Sequence, residues 1–327
     1  MNLKPVIEVE ETSLVIPTEQ VESPGNRFIE ANTSPETYEN IKHVHIIPSF
    51  AKDNETVISH TDFIDSVSSM AADVFKGEII SKPVIRVSHP ITGRIPEAKG
   101  KAAKDLLEHE KTLYYERMAF IVEIATVKEN IHGNQLNLTV GGVKAYNLDN
   151  LGGRKSMEHF KIFIGFKNTV CTNLCIWTDG LNEQVAVSSS IHLSKVAKEL
   201  FAEFDASKQL DRMGRLAQYS LSEAQFAHLI GRAKLYQYLP AEERKFIPEL
   251  KLSDTQVSLI AKDYFSEGSF SRNEKGDIDL WRLYNLCTGA NKSSYIDRFL
   301  ERGNNAFQFV DLIANTLDSK EDCWYLK

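Results

Sequence analysis

Residues 118–142, MAFIVEIATVKENIHGNQLNLTVGG, constrain the fold more than any other stretch of the chain: two strand-like runs flank a turn at His132-Gly133-Asn134. Apolar, β-branched runs on either side of a Gly/Asn turn are the signature of a β-hairpin. An antiparallel sheet is therefore expected near the middle of the chain. HVHIIP (43–48) and KPVIRVS (82–88) read as strands before the hairpin, and 143–147, 160–167 and 169–178 as strands after it. A helix over 61–76 precedes KPVIRVS, with Thr61 as its cap, a stripe of Phe63, Val67, Met70, Ala71 and Val74, and Gly77 as its stop. The lysine-rich stretch 98–111 reads as a further amphipathic helix.

From residue 190 the periodicity changes. Ser188 to Ser190 can cap a helix over 191–203. Ser220 and Glu223 form an S-x-x-E capping box ahead of Phe226, Leu229, Ile230 and Ala233. Ser253 caps a helix with Val257, Ile260, Ala261 and Tyr264 on one face, and two more helices are expected at 279–288 and 304–317. Strands followed by helices, rather than strict alternation, predict an α+β fold: a mainly antiparallel β-sheet domain over 39–189 and a helical region over 190–327 packed against it. Residues 1–38, with IEVEETSLVIPTEQVESPGN at their centre, have too little apolar surface for a core and read as an acidic flexible tail.

Charge divides along the same lines. Residues 1–60 carry four Lys/Arg against ten Asp/Glu, whereas residues 82–170 carry fourteen against nine. A basic segment behind an acidic leader is one pattern of a nucleic-acid surface. Its densest part, IRVSHPITGRIPEAKGKAAK, gathers Arg86, His89, Arg94, Lys99, Lys101 and Lys104 around Pro90 and Gly93, shortly before Tyr114 and Tyr115. Lysines and arginines grip phosphates and aromatic rings stack on bases, which together hold single strands. On this reading Arg86, Arg94, Lys99, Lys101, Arg154, Lys155, Lys161 and Lys167 contact phosphates, and Tyr114, Tyr115 or Phe163 stack on bases.

Other chemistries find little in the sequence. Cys171 and Cys175 stand four apart in FKIFIGFKNTVCTNLCIWTDG. In a regular strand they are about 13 Å apart, too far for a disulfide or a shared metal. They are expected to be buried, unbonded thiols. His43 and His45 would share a strand face, with His60 following, and a polar face explains them better than a metal does. Asp277 and Asp279 read as helix caps, and the glycine pairs 141–142 and 152–153 as a bulge and a turn. GKA at Gly100 is not a P-loop, and no GxGxxG, HExxH or GxSxG occurs, so neither cofactor nor metal is expected. No apolar run reaches the roughly 20 residues that span a bilayer. The opening MNLKPVIEVEETS lacks the features of a secretory signal, so a cytoplasmic location with reduced thiols is expected.

The phrases SHPITGRIPEA, KTLYYERMAFIVEI, LTVGGVKAYN, FKIFIGFKNTVCTNLCIWTDG, AQFAHLIGRAKLYQYLP and LWRLYNLCTGANKSSYIDRFLERGNNAF together resemble domain-of-unknown-function family 3871 over residues 40–327. VCTN and LYNLCTG are also loosely similar to the phage/plasmid-like domain-of-unknown-function family 932. The first resemblance implies a soluble bacterial protein, found mainly in Bacteroidetes and often on mobile elements such as plasmids and prophages. It carries over no catalytic or ligand residue. The expectation is a non-enzymatic, nucleic-acid-associated protein. The alternatives are a protein-interaction module acting on a host or phage partner, and an enzyme with His89 as acid/base beside Arg86 and Arg94.

Overall fold

The hairpin at the middle of the chain is the spine of the molecule in the computed structural model, which describes residues 27–46, 57–146, 157–319 and 322–327. In chain order, β1 (Ser34–Glu36) leads into α1 (Tyr38–Val44) and α2 (His60–Val74). Then come β2 (Val84–Val87), β3 (Pro90–Arg94) and β4 (Lys111–Tyr115). The long strands β5 (Arg117–Ile131), β6 (Asn134–Ala145) and β7 (Glu158–Asn168) follow, with β8 (Leu174–Cys175) and β9 (Leu181–Val187). The helical part holds α3 (Ser190–Glu203), α4 (Ala206–Leu216), β10 (Ser220–Leu221), α5 (Glu223–Tyr236), α6 (Ala241–Arg244), α7 (Asp254–Ser266), β11 (Ile278–Asp279), α8 (Leu280–Asn291) and α9 (Ile296–Ser319). The fold is α+β.

His132 and Gly133 both take positive φ, 48° and 81°, so β5 and β6 are joined by the tight turn their sequence requires. β1, β2, β5, β6, β7 and β8 lie side by side, β9 also pairs with β7, and every pairing is antiparallel. α2 and α3 cover one face of the sheet, where Phe63 meets Phe120 and Phe160. That core continues through Trp177 and Phe307 into α8 at Tyr284. The other face carries Ala119, Ile121, Val143, Phe163, Leu174 and Ile176. Phe28, Ile29 and the first turns of α9, at Ile296, Phe299 and Leu300, cover it. Gly141 and Gly142 lie in regular pairing rather than at a bulge, because space is short on both faces: a Cβ on Gly142 would lie 2.4 Å from the Phe63 ring.

Several elements differ from the sequence expectation. HVHIIP is not a strand where described: His43 and Val44 end α1, and His45 makes a single bridge to Leu113. The stretch 98–111 is not a helix. Beyond a short turn at Pro96–Ala98 it holds two more, at Ala103–Asp105 and Glu108–Glu110, and 95–110 forms an excursion closed by the β3–β4 pairing. Residues 27–38, within the expected tail, are part of the fold: Ile29 is fully buried and β1 pairs with β2. Residues 1–26 lie outside the described residues. The cap of α2 is Ser59, with Asp62 completing a capping box, and that of α5 is Ser222 with Gln225, since Ser220 is taken by the β10–β11 pairing. α4 has no counterpart in the sequence reading, and α9 begins eight residues before the expected 304.

Candidate functional site

The residues expected to hold nucleic acid do not form one surface. Arg86 alternates to the inner side of β2 and is fully buried, where its guanidinium donates to the Thr33 hydroxyl at 2.9 Å and the Thr33 carbonyl at 2.7 Å. Lys161 is buried under α9, donates to the Asp297 carbonyl at 2.6 Å and pairs with Glu301. Lys167 pairs with Glu123. Phe163 is core. The Tyr115 hydroxyl donates to Glu36 at 2.6 Å, and burial together with that carboxylate pushes its pKa up to about 12. Arg94, Lys99, Lys101 and the half-buried Tyr114 do belong together, on the β3–β4 ribbon and its excursion. There Arg94 donates to the Lys101 carbonyl, Lys101 pairs with Glu110, and Lys99 is exposed. Arg154, Lys155 and the glycine pair 152–153 lie outside the described residues. His89 is exposed between β2 and β3, separated from the inward-facing Arg86, and does not line the cavity below.

A cavity of about 910 Å³ opens at the β2 edge of the sheet. Phe28, Val84, Ile121 and Ala125 line it on the face covered by α9, Pro35 and Pro83 at the edge, and Tyr38 and Asp65 beyond it. Its polar floor comes from three adjacent strands. Lys128 of β5 is paired with Asn137 of β6, and Asn137 with Lys167 of β7. Directly paired residues share a face, so the three side chains form one row across the sheet. Glu123 stands beside them: one carboxylate oxygen receives Lys167 and the other receives Asn137 Nδ2 at 2.9 Å. Glu123 and Lys128 are five positions apart, which regular alternation would place on opposite faces. Their partners Thr139 and Asn137 are only two apart, and the register shift between them is the bulge that brings both charges to one side. This bulge left no mark that sequence patterning could detect.

Thr172 forms part of the cavity wall in a left-handed conformation, φ 56°, costly for a β-branched residue. Its hydroxyl lies 2.7 Å from the Cys171 carbonyl and 2.9 Å from that of Arg27, and it accepts from Lys292 Nζ at 3.0 Å. Lys292 is buried among these groups, and desolvation lowers its pKa below that of an ordinary lysine. The turn at Thr169–Cys171 replaces the expected strand, which is confined to Leu174–Cys175. Alternation does hold from Leu174: Leu174 and Ile176 enter one core, Cys175 and Trp177 the other. Both cysteines are free, and burial lifts the Cys171 thiol to about 11 and that of Cys175 higher still.

A second cluster sits where β4 ends. His45 Nδ1 accepts from the Tyr115 amide at 3.1 Å, and His60 Nε2 lies 2.8 Å from the Tyr115 carbonyl. A carbonyl only accepts, so His60 carries its proton on Nε2, and His45 must be bare at Nδ1. The rings stack at 4.5 Å, beside Tyr146 and the buried Lys144–Glu158 pair. Burial holds His45 near 4, and burial and then its neighbour hold His60 well below the usual histidine value. His43 faces Glu39 on α1 instead of joining them. Among the described residues no group of three His, Cys, Asp or Glu side chains is placed to hold a metal ion, and no helix is long and apolar enough to cross a membrane.

A family model described as a domain of unknown function, "B. Theta Gene description", matches residues 9–326. No curated protein and no solved structure matches the chain.

Proposed function

Because the chain belongs to domain-of-unknown-function family 3871, whose description names no activity, we propose a function from the cavity: a non-enzymatic binding protein that takes a small ligand at the sheet edge. The carrying observation is the volume and lining together. About 910 Å³ lies within the roughly 300–1,000 Å³ typical of small-molecule sites, which pair apolar walls with a few convergent polar groups. The test is a thermal-shift and native mass-spectrometry screen of metabolites against wild type and Ala125→Trp, which places an indole in the cavity. Ligands that stabilise wild type and not the variant support the reading. Hits that bind both equally, or no hit at all, refute it.

Binding of single-stranded nucleic acid is the second reading, in the mobile-element setting that the family resemblance implies. It is favoured by the exposed Lys99 and Lys104 on the excursion, with the half-buried Tyr114 on β4 of the same ribbon. Against it, residues 95–110 hold three lysines and four acidic residues. Replacing Arg94, Lys99 and Lys101 by alanine should flatten the slope of log affinity against log salt by about two units, at roughly 0.7 per phosphate contact. Anisotropy titrations that find equal binding by both proteins, or none at low salt, refute it. A docking role for a protein partner rests on Tyr238 and Phe246, 76% and 89% exposed at the end of the α5–α6 region.

A further inference from the structure

We infer that the ligand of this cavity bears an anionic group, a carboxylate or a phosphate, received by Lys128 and Lys167 while its apolar body lies along Ile121, Phe28 and Val84. The inference rests on the small-ligand reading and adds the chemistry of the ligand. Its basis is the charge balance of the cross-strand row. Lys167 is 6% exposed and its charge is matched by Glu123. Both oxygens of Glu123 are already engaged, by Lys167 and by Asn137, and the Asn137 carbonyl oxygen accepts from Gln135 Nε2 at 3.1 Å. Glu123 carries a single negative charge, and Lys167 already matches it. Lys128 stands in the same row, lines the same cavity and makes no ion pair among the described residues. Lys82 lines the cavity from the β2 side and is likewise unpaired there.

The other acidic residues of the cavity come from elsewhere. Glu36 lies on β1 and Asp65 on α2, and they accept from the Tyr115 and Tyr38 hydroxyls at 2.6 and 2.8 Å. Glu39 lies on α1, within 3.7 Å of His43. α2 packs on the opposite face of the sheet from the row. The end floored by β5, β6 and β7 thus sets two lysines, Lys128 and Lys167, against the one carboxylate of Glu123, next to a side-chain amide and an apolar wall. An anion placed there exchanges water for lysine ammonium donors, and charge-assisted hydrogen bonds are the stronger kind. The bulge supports the same conclusion. Without it Lys128 would point to the other face of the sheet, so the strand departs from regular pairing at the residue that supplies the unmatched charge.

Matched probes separate this inference from the cavity reading. The full chain is titrated by calorimetry and saturation-transfer NMR with indole-3-acetate against neutral indole-3-acetamide, and with benzyl phosphate against benzyl alcohol and inorganic phosphate. The charged member of a pair should bind more tightly than its neutral partner, and the tighter of the two anions identifies the group. Lys128→Gln should weaken the anion about tenfold, the worth of one charge-assisted bond, and leave the neutral probes unchanged. Lys99→Gln, on the distant excursion, should change nothing. Neutral probes that bind as well as the anions, or anion binding untouched by Lys128→Gln, overturn the anionic class and leave the cavity reading standing. Inorganic phosphate binding as tightly as benzyl phosphate also overturns it, because the apolar wall would then contribute nothing. If no probe binds wild type at millimolar concentration the inference falls, and the Ala125→Trp screen then decides separately whether the cavity binds anything.

Discussion

Acid should loosen the corner where His45 and His60 hold the peptide of Tyr115. Both rings are neutral there, and both must gain a proton to exist as they would in the unfolded chain below the usual histidine value of about 6.5. His45 is held near 4 and His60 well below its usual value. Between these values and 6.5 the unfolded chain binds the extra protons, so stability falls as pH falls through that window and is fully present above it. At about pH 5 each histidine removes about 2 kcal/mol relative to neutral pH, about 4 kcal/mol for the pair. The neighbouring charges act in the same direction or later. Lys144 opposes a second cation beside His60. Carboxylates such as Glu36 and Glu301 are held below their usual value, and their contribution is lost mainly below about pH 4.5. The assay is urea unfolding followed by tryptophan fluorescence at neutral pH and at about pH 5. The control is His45→Asn with His60→Gln: asparagine keeps the acceptor for the Tyr115 amide, glutamine keeps the donor to its carbonyl, and neither titrates. Wild type should lose about 4 kcal/mol over the interval and the double variant less than about 1 kcal/mol. Equal losses in the two proteins would refute the reasoning.

Lys144 is fully buried against Glu158 at 2.9 Å. Lys144→Met should cost about 3–5 kcal/mol by leaving that buried carboxylate without a counter-ion, and adding Glu158→Gln should recover part of the loss in chemical denaturation. Gly142→Ala should cost about 1–3 kcal/mol in calorimetry, since its Cβ would meet the Phe63 ring at 2.4 Å and the Lys161 carbonyl at 2.5 Å. The four thiols should react slowly with a disulfide reagent in the native protein at neutral pH and rapidly in urea; burial raises Cys171 to about 11 and Cys287 to about 12, and fast native labelling of all four contradicts this. Deleting residues 1–26 leaves the described contacts in place, whereas deleting 1–36 removes β1, Phe28 and Ile29 and should cost several kcal/mol. Equal melting temperatures for the two truncations would show that this packing contributes nothing.

Local chemistry made part of this protein legible from its residues. The β5–β6 turn needed positive φ at His132 and Gly133, and the sequence supplied residues that tolerate it. α2, α5 and α7 announce an apolar stripe, and α3, α5 and α7 a serine near their start, because helix signals act within one or two turns; at α2 the cap is Ser59 rather than the expected Thr61. Where two local readings compete, the choice falls to distant partners. Ser220-x-x-Glu223 and Ser222-x-x-Gln225 are overlapping capping boxes, and the pairing of β10 with β11 selects the second. The spacing of residues 98–111 imitates an amphipathic helix, but the β3–β4 pairing holds them as an excursion instead. Charge was the least legible property. Lys161 counts as a free cation in sequence, yet its carboxylate is Glu301, 140 residues away, and the partner of Lys167 is Glu123 in another strand. The candidate site shares this dependence: Lys128, Asn137 and Lys167 become one row only through three-strand register and a bulge. Sequence period sets which element a segment favours, because backbone preferences act between near neighbours, and long-range pairing overrides it at 98–111. Which charges meet, and which are left over, depends on segments that approach only when the sheet and helices pack, because an ion pair forms over a few ångströms of space and not over a span of sequence.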